Sequence, residues 1–174
     1  MKKVIVIGCP GSGKTTFAKR LREKTGLPLF HLDAIWHRAD GGHIERKDFD
    51  RFLGEILEKE AWIIDGNYGR TLKRRLLACD TVFLFDLPTS VCLEGALSRL
   101  GQKREDLPFT DTVLDPLFAL EIEGFQKEKL PSIYDLLDSC GGDKTIVVFK
   151  SREETEDFLR EAAATGGLLP SSDS

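Results

Sequence analysis

Val4-Ile5-Val6-Ile7 runs directly into Gly8-Cys9-Pro10-Gly11-Ser12-Gly13-Lys14-Thr15, and Thr16 follows. Four consecutive β-branched apolar residues are typical of a strand that is buried on both faces of a parallel sheet. The segment from Gly8 to Thr15 fits the pattern G-x-x-x-x-G-K-[ST] at every fixed position. Because this pattern follows a strand and opens an amphipathic helix, its setting is that of a phosphate-binding loop, or P-loop.

The P-loop predicts a site for a nucleoside triphosphate. Its glycines allow the backbone N–H groups to point at the β- and γ-phosphates, and the helix N-terminus adds the positive end of a dipole. Lys14 supplies a compact positive charge, and the Thr15 hydroxyl is suited to ligate Mg²⁺. We therefore expect ATP and Mg²⁺ as cofactors, with ATP contacted by Gly8, Cys9, Pro10, Gly11, Ser12, Gly13, Lys14, Thr15 and Thr16.

Three other nucleotide-binding classes fit the sequence less well. The dinucleotide pattern G-x-G-x-x-G would need Gly or Ala where Thr16 stands. A GTPase reads guanine with Asn-Lys-x-Asp, whereas the single asparagine, Asn67, precedes Tyr68. A motor-type ATPase usually places a glutamate directly after its Walker B aspartate, whereas Leu87 follows Asp86. The small size and the aspartates at strand ends favour a kinase that passes the γ-phosphoryl group to a small acceptor.

Composition sets the class of protein. The chain has 174 residues, of which 41% are hydrophobic and 31% charged, which is typical of one globular domain. We expect this domain to cover residues 1–165, with a flexible tail over 166–174. Twenty-five basic and 29 acidic side chains give a net charge of −4, so a general coat for nucleic acid is not expected.

Two further signals concern location and partners. Four scattered cysteines, without a CxxC pair or a nearby histidine, indicate free thiols rather than zinc ligands or disulfides. The apolar run before Gly8 is too short for a signal peptide, and no stretch reaches the ~20 apolar residues of a membrane span. We expect a cytoplasmic protein that does not bind membranes, and both a monomer and a dimer remain open.

Apolar runs alternate with amphipathic stretches, which predicts βαβ units and a parallel sheet covered by helices on both faces. The strands are expected at Val4–Ile7, Leu29–Leu32, Trp62–Ile64, Val82–Phe85 and Thr145–Phe149. The helices are expected at Thr15–Lys24, Lys47–Lys59, around Leu72–Leu77, Pro88–Leu100, Val113–Phe125 and Ile133–Leu137, and from the capping residue Ser151 onward. The basic run Lys73-Arg74-Arg75 is expected on a solvated helix face.

Ligands of such sheets bind at the carboxyl ends of the strands, where Asp33, Asp65 and Asp86 stand. Asp86 follows four apolar residues and has the Walker B form, so it is expected to join Thr15 in binding Mg²⁺ through water. The alternative for Asp86 is an N-cap before Pro88.

Five segments of the chain form a set that is more particular than the P-loop alone: Val4–Phe17, His31-Leu32-Asp33, Trp62-Ile63-Ile64-Asp65-Gly66-Asn67-Tyr68, Val91-Cys92-Leu93 and Lys150-Ser151-Arg152-Glu153-Glu154. Together these segments resemble the bacterial DNA topology modulation proteins of the FlaR type, which are P-loop kinases similar to adenylate, shikimate and gluconate kinases. The resemblance implies a P-loop NTP hydrolase fold with three α/β/α layers, five parallel strands in the order 2-3-1-4-5, and a small mobile lid at approximately 99–125.

The resemblance also implies roles on the acceptor side. Asp33 would accept the proton of the acceptor hydroxyl or hold a Mg²⁺-bound water, and the alternative is a helix N-cap. The segment from Asp65 to Arg70 is similar to the Asp-Gly-Phe-Pro-Arg segment of adenylate kinase. By this match Arg70 would grip a phosphate or the acceptor, and Asp65, Asn67 and Tyr68 are expected at the acceptor as well, although Asn67 and Tyr68 depart from the adenylate kinase pattern. The alternative is a tight turn with Arg70 as a surface charge.

The remaining implied roles concern the lid, the adenine and the walls of the acceptor pocket. Arg99 and Arg104 would close over the phosphates and neutralise transition-state charge. Lys150, Ser151 and Arg152 stand where similar kinases bind adenine, and Ser151 can also cap the last helix. His31, Trp36 and His37 are candidates for the acceptor wall, with Trp36 equally suited to the core.

These observations predict an ATP-dependent phosphotransferase whose acceptor is an unidentified small molecule. Its catalytic residues would be Lys14, Asp33, Arg99 and Arg104. The alternative is a non-enzymatic regulator in which ATP orders the lid, and DNA topology or a protein partner responds. The net negative charge disfavours a nucleic-acid partner, despite the name of the family that the chain resembles.

Overall fold

The computed structural model describes residues 1–165, so the predicted tail at 166–174 lies outside the described residues. Five strands form one parallel sheet in the order β2-β3-β1-β4-β5, as predicted. The strands are β1 (Lys3–Gly8), β2 (Leu29–His31), β3 (Trp62–Asp65), β4 (Thr81–Phe85) and β5 (Thr145–Phe149). The helices are α1 (Lys14–Thr25), α2 (Leu32–Trp36), α3 (Arg46–Leu57), α4 (Gly69–Ala78), α5 (Thr89–Leu97), α6 (Pro116–Glu128), α7 (Leu130–Cys140) and α8 (Arg152–Thr165).

The centre of the sheet is buried on both faces. β1, β3 and β4 consist almost entirely of residues without solvent exposure, which explains why their sequences are continuous apolar runs. On one side Phe17 of α1 meets Phe83 edge-on, with 4.8 Å between ring centroids, and contacts Phe85 and Phe149 at 5.4 Å. This aromatic cluster attaches the helix that follows the P-loop to the two strands at one side of the sheet.

Several element boundaries differ from the prediction by one to three residues, and two of these differences have a clear physical reason. β2 ends at His31, and the next residues form the short helix α2, which has too few residues to show a periodic pattern. α6 begins at Pro116, after Asp115 caps its N-terminus by accepting hydrogen bonds from Leu117 N and Phe118 N. Val113, the predicted start, is 76% exposed and precedes the helix. Proline at the first position fits a helix start and is unfavourable inside one.

Among residues 1–165, none of the helices combines the length and the apolarity that crossing a bilayer requires.

The P-loop rests directly on α5. Gly11 has φ +81°, and a Cβ atom there would stand 2.0 Å from the Cys92 carbonyl oxygen. From the other side, a Cβ atom on Gly95 of α5 would stand 2.1 Å from the Gly11 carbonyl oxygen. No side chain fits at such separations, so the two glycines let the loop and the helix backbone touch.

This contact predicts opposite effects of the same substitution in two helices. Gly95→Ala should lower the free energy of unfolding by about 1–3 kcal/mol, because the added methyl group overpacks the P-loop contact. Gly54→Ala in α3 should instead raise it by about 0.5–1 kcal/mol through helix propensity. At Gly54 the nearest atom to an added Cβ, at 2.9 Å, is the mobile end of the Arg74 side chain. Urea unfolding of both variants measures the difference, and equal shifts would contradict the proposed contact.

Candidate active site

The P-loop places a buried cation beneath an open backbone cradle. Lys14 is 9% exposed, and its Nζ donates to the Cys9 carbonyl oxygen at 2.8 Å. Burial lowers the pKa of Lys14, while the nearby Asp65 carboxylate acts to raise it. Ser12 Oγ is buried without a hydrogen-bond partner within the described part of the chain. The first N–H groups of α1 have no partner within the helix, so this cradle offers donors to an anion.

Thr15 meets a carboxylate from the neighbouring strand. Its Oγ1 donates to Asp65 Oδ2 at 2.8 Å, and the same carboxylate oxygen lies 3.0 Å from His31 Nδ1. Thr15 Oγ1 also lies 3.4 Å from Oδ2 of Asp106, which is 1% exposed. Asp106 was missed by sequence reasoning because the surrounding stretch is polar and lacks hydrophobic periodicity. A hydroxyl and two carboxylates therefore converge at the start of α1.

Asp86 has different neighbours from those predicted. Its carboxylate pairs with Lys150 and accepts a hydrogen bond from the Tyr134 hydroxyl at 2.7 Å. The N-cap of α5 is Pro88, so the capping alternative for Asp86 is wrong. Asp86 N continues the sheet by donating to Phe149 O, which directs the residue toward β5. Asp65 rather than Asp86 is the strand-end carboxylate in contact with Thr15.

Asp33 lies in the first turn of α2 and faces a tyrosine. The N-cap of α2 is His31, so Asp33 is not the capping residue. The Tyr68 hydroxyl donates to Asp33 Oδ1 at 2.8 Å. Burial raises the pKa of Asp33, and the hydrogen bond from Tyr68 partly offsets that rise. A carboxylate whose pKa is raised is better matched to accept a proton near neutral pH.

Asn67 holds the P-loop instead of pointing its amide at a free substrate position. Its Oδ1 accepts from Gly8 N at 2.9 Å, and its Nδ2 donates to Gly8 O at 2.7 Å. The side-chain amide thus pairs with both backbone groups of Gly8 and lengthens the contact between β1 and β3. Asn67 therefore helps to position the start of the P-loop.

Arg75 is the main residue whose environment the prediction got wrong. It is fully buried rather than solvated, and it donates to the carbonyl oxygens of Gly66, Asn67 and Tyr68. Burial lowers the pKa of Arg75 to about 10, so the side chain stays charged at neutral pH. The helical spacing of the sequence could have revealed the burial of Arg75, because position 75 shares the buried helix face of Leu72 and Leu76.

The same turn carries a left-handed residue. Tyr68 has φ 36°, and a non-glycine residue in such a conformation costs of order 1–3 kcal/mol. Its ring stacks on Phe49 with centroids 5.0 Å apart. The Arg75 contacts and this stacking hold the turn in the conformation that brings the Tyr68 hydroxyl to Asp33.

Arg70 points away from the site. Its guanidinium forms a two-pronged contact with Asp50, at 2.9 and 2.6 Å, and the pair lies on the surface. This contact raises the pKa of Arg70 and lowers that of Asp50. The structure therefore favours the surface-charge alternative for Arg70 over the phosphate grip.

Two cavities meet at the P-loop. The larger holds about 910 Å³ and extends toward Asp33 and Tyr68; we call it the acceptor cavity. The smaller holds about 410 Å³ and extends along Ser12, Gly13 and Thr16 toward Arg152; we call it the nucleotide cavity. Residues shared by both linings are Gly11, Thr15, Arg99 and Arg104. The junction brings the predicted lid arginines to the P-loop.

The predicted lid arginines differ in their partners, and so do the three residues of the predicted adenine segment. Arg99 Nε is buried without a partner in the described region, whereas Arg104 pairs with Asp106. Arg152 lines the nucleotide cavity and donates to Val91 O at 3.1 Å. Ser151 caps α8 by accepting from Glu154 N at 3.1 Å, as predicted, while Lys150 is drawn to Asp86.

The three residues predicted for the wall of the acceptor pocket lie in different places. Trp36 and His37 line the acceptor cavity, whereas His31 lies beneath it against Asp65. Trp36 also packs edge-on against Phe49, with centroids 5.5 Å apart, so it serves both cavity and core. Pro10 lines the same cavity, and the buried Cys9 contributes its backbone carbonyl to Lys14.

The chain matches no protein-family model. Over 88 residues it is 34% identical to adenylate kinase from Thermotoga neapolitana and 33% identical to that from Thermotoga petrophila. Both alignments cover 49% of this chain and 39% of the adenylate kinase. The match thus spans about two fifths of the length of these curated relatives.

Solved kinases match over nearly the whole chain. Shikimate kinase from Acinetobacter baumannii in complex with shikimate has a TM-score of 0.60 and 15% identity, covering 95% of this chain and 94% of that chain. Shikimate kinase from Bacteroides thetaiotaomicron has a TM-score of 0.57 and 16% identity, covering 94% and 97%. A gluconokinase from Sinorhizobium meliloti has a TM-score of 0.51 and 17% identity, covering 96% and 91%. The chain has a kinase-like P-loop fold. The resemblance to the DNA topology modulation proteins stays a prediction.

The buried arginine makes the turn at 66–68 a target for mutation. Arg75→Ala should lower the free energy of unfolding by about 3–5 kcal/mol, because it leaves buried carbonyl groups unpaired and opens a cavity. Lys73→Ala, on the exposed face of the same helix, should change it by less than about 0.5 kcal/mol. Urea unfolding at pH 7 compares the two variants. Similar small effects would show that Arg75 does not stabilise the turn.

Proposed function

We propose that the protein is an ATP-dependent phosphotransferase that moves the γ-phosphoryl group of Mg-ATP to a hydroxyl of a small acceptor. The observation that carries the proposal is the junction of the two cavities. Thr15, Arg99 and Arg104 border both of them. A phosphoryl group bound there would face a nucleotide on one side and an acceptor on the other.

The nucleotide side supplies charge and donors. Lys14 and the N–H groups at the start of α1 would bind the β- and γ-phosphates. Ser12 lines the nucleotide cavity, and its buried Oγ, which has no partner among the described residues, would add a further donor. Arg99, whose Nε is also without a partner in the described region, would neutralise charge that develops on the transferring group.

The oxygen atoms at Thr15 fit Mg²⁺. Thr15 Oγ1, Asp65 Oδ2 and Asp106 Oδ2 are hard ligands, and Mg²⁺ in kinases uses one or two carboxylates, waters and substrate phosphates. Mg²⁺ bound here would offset the negative charge of the phosphates. We assign it to Thr15 and Asp65 instead of Thr15 and Asp86.

On the acceptor side, Asp33 would position the hydroxyl and accept its proton. Tyr68 orients the Asp33 carboxylate, and burial keeps the pKa of Asp33 raised. Protonation of Asp33 would then remove the base as the pH falls through this raised pKa. The rest of catalysis would come from positioning and electrostatic stabilisation, as is usual in phosphoryl transfer.

The phosphate site is tested by removing its cation. Lys14→Ala should reduce ATP turnover at least about a hundredfold, because a preorganised charge at the phosphates is lost. Lys24→Ala, an exposed lysine at the end of the same helix, should leave turnover unchanged. ADP release is measured across nucleoside monophosphates and hydroxylated metabolites at fixed Mg²⁺, with circular dichroism to check the fold. Full turnover in Lys14→Ala would refute the assignment of the phosphate site.

The proposed metal ligand is tested by comparing two carboxylates at the carboxyl edge of the sheet, Asp65 and Asp86. Asp65→Asn should raise the Mg²⁺ concentration that half-saturates ATP turnover by about 10–100-fold, since the amide keeps the Thr15 contact but loses the charge. Asp86→Asn removes the same charge beside Lys150 and should leave that concentration unchanged. A larger increase of this Mg²⁺ concentration in Asp86→Asn than in Asp65→Asn would instead indicate Asp86 as the metal ligand. Titration of turnover against Mg²⁺ at saturating ATP gives both values.

A further inference from the structure

The basic side chains of the acceptor cavity cluster at its P-loop end. Lys14, Arg99 and Arg104 stand at the P-loop and its junction, and Lys129 lies where α6 meets α7. Arg104 is already paired with Asp106, and Arg70, which the sequence suggested for a phosphate, is paired with Asp50 outside the cavity. Arg99 is then the arginine left to meet the transferring phosphoryl group at the junction, and beyond the junction the described lining of the acceptor cavity holds no further arginine fork for a phosphate or carboxylate of the acceptor.

Carboxylates are the more frequent charged side chains in the rest of this lining. Asp33 and Asp111 lie close enough to Arg99 for their charges to act on its guanidinium, and Glu121 lies near Cys9 of the P-loop. Most of the acidic residues of this lining are exposed. The acidic residues of the lining beyond Asp65 are Asp33, Asp111, Asp115, Glu121 and Glu128.

Aromatic rings form a wall of the same cavity. The ring planes of Trp36 and Tyr68 lie at 66° to each other, with ring centroids 6.2 Å apart. The ring planes of His37 and Phe109 lie at 85°, with ring centroids 5.6 Å apart. All four residues line the acceptor cavity. The face of an aromatic ring attracts a cation, and attraction is strongest where water is excluded. Rings and carboxylates in one cavity match a ligand that carries both apolar surface and positive charge.

We infer that the acceptor is a hydroxylated amine, positively charged at neutral pH, rather than a nucleoside monophosphate or a sugar acid. The inference rests on the proposed function, since it names the occupant of the same site. The amine would lie between the aromatic wall and the exposed carboxylates of the lining, with a hydroxyl directed at Asp33. A phosphorylated or carboxylated acceptor would instead face like charges, whose repulsion acts against binding.

A matched series of linear six-carbon polyols tests the charge of the acceptor. Glucamine, sorbitol and gluconate differ at one terminal carbon, which carries an ammonium, a hydroxyl or a carboxylate. Binding is followed by the fluorescence of Trp36, because the second tryptophan, Trp62, is fully buried in the sheet. ADP release with each polyol and with AMP is measured in parallel at fixed Mg²⁺ and ATP.

We expect glucamine to bind about tenfold or more tightly than gluconate, with sorbitol between them. The double variant Asp111→Asn/Glu121→Gln should reduce a tenfold preference to about threefold, because two of the four exposed carboxylates of the lining lose their charge. Glu123→Gln, which removes the same charge from an exposed position of α6 outside the cavity lining, should leave the preference unchanged.

The binding measured by fluorescence tests this inference, whereas the release of ADP tests the proposed function. Preferred binding of glucamine that collapses in the double variant supports the inference, whether or not ADP is released. Absence of ADP release with every probe, together with that binding order, would count against the phosphotransferase and not against the charge of the ligand. Equal or tighter binding of gluconate or AMP, or no fluorescence change with any probe, would overturn the inference.

Discussion

The buried guanidinium of Arg75 is the contact on which both halves of the site depend. It holds the carbonyl groups of Gly66, Asn67 and Tyr68, and so it sets the turn that follows β3. From this turn the Asn67 amide pairs with Gly8 at the start of the P-loop, and the Tyr68 hydroxyl reaches Asp33. One cation behind the sheet edge thus aligns the nucleotide side with the acceptor side.

A buried charge is a costly way to shape a turn, since a guanidinium loses its hydration on burial. The cost is offset here because carbonyl oxygens that β3 leaves unpaired would otherwise be buried without donors. The arrangement also keeps Tyr68 in a left-handed conformation that an isolated chain would avoid. Such strain persists where surrounding contacts over-determine it, and here it fixes the position of the residue that orients Asp33.

Local patterns predicted the strands and the P-loop, because apolar runs and the glycine spacing can be recognised within a few consecutive residues. The choice between Asp65 and Asp86 depends on register, which no local pattern contains. β3 and β4 both flank β1, and Asp65 pairs in register with Val6, whereas Asp86 follows the residue that pairs with Gly8. Asp106 was missed for a related reason, because its contact with Thr15 joins positions 91 residues apart. The burial of Arg75 could instead have been predicted from its helical spacing with Leu72 and Leu76.

The distribution of charge in the cavities bears on how a phosphotransferase avoids unproductive complexes. Lys14, Arg99 and Arg104 concentrate positive charge at the P-loop junction, while carboxylates line the acceptor cavity beyond it. A triphosphate would find complementary charge in only one of the two cavities, so its γ-phosphoryl group would enter the junction from the nucleotide side. The same gradient would exclude a second ATP from the acceptor cavity by repulsion. Selectivity for the acceptor and orientation of the donor would then follow from one electrostatic feature.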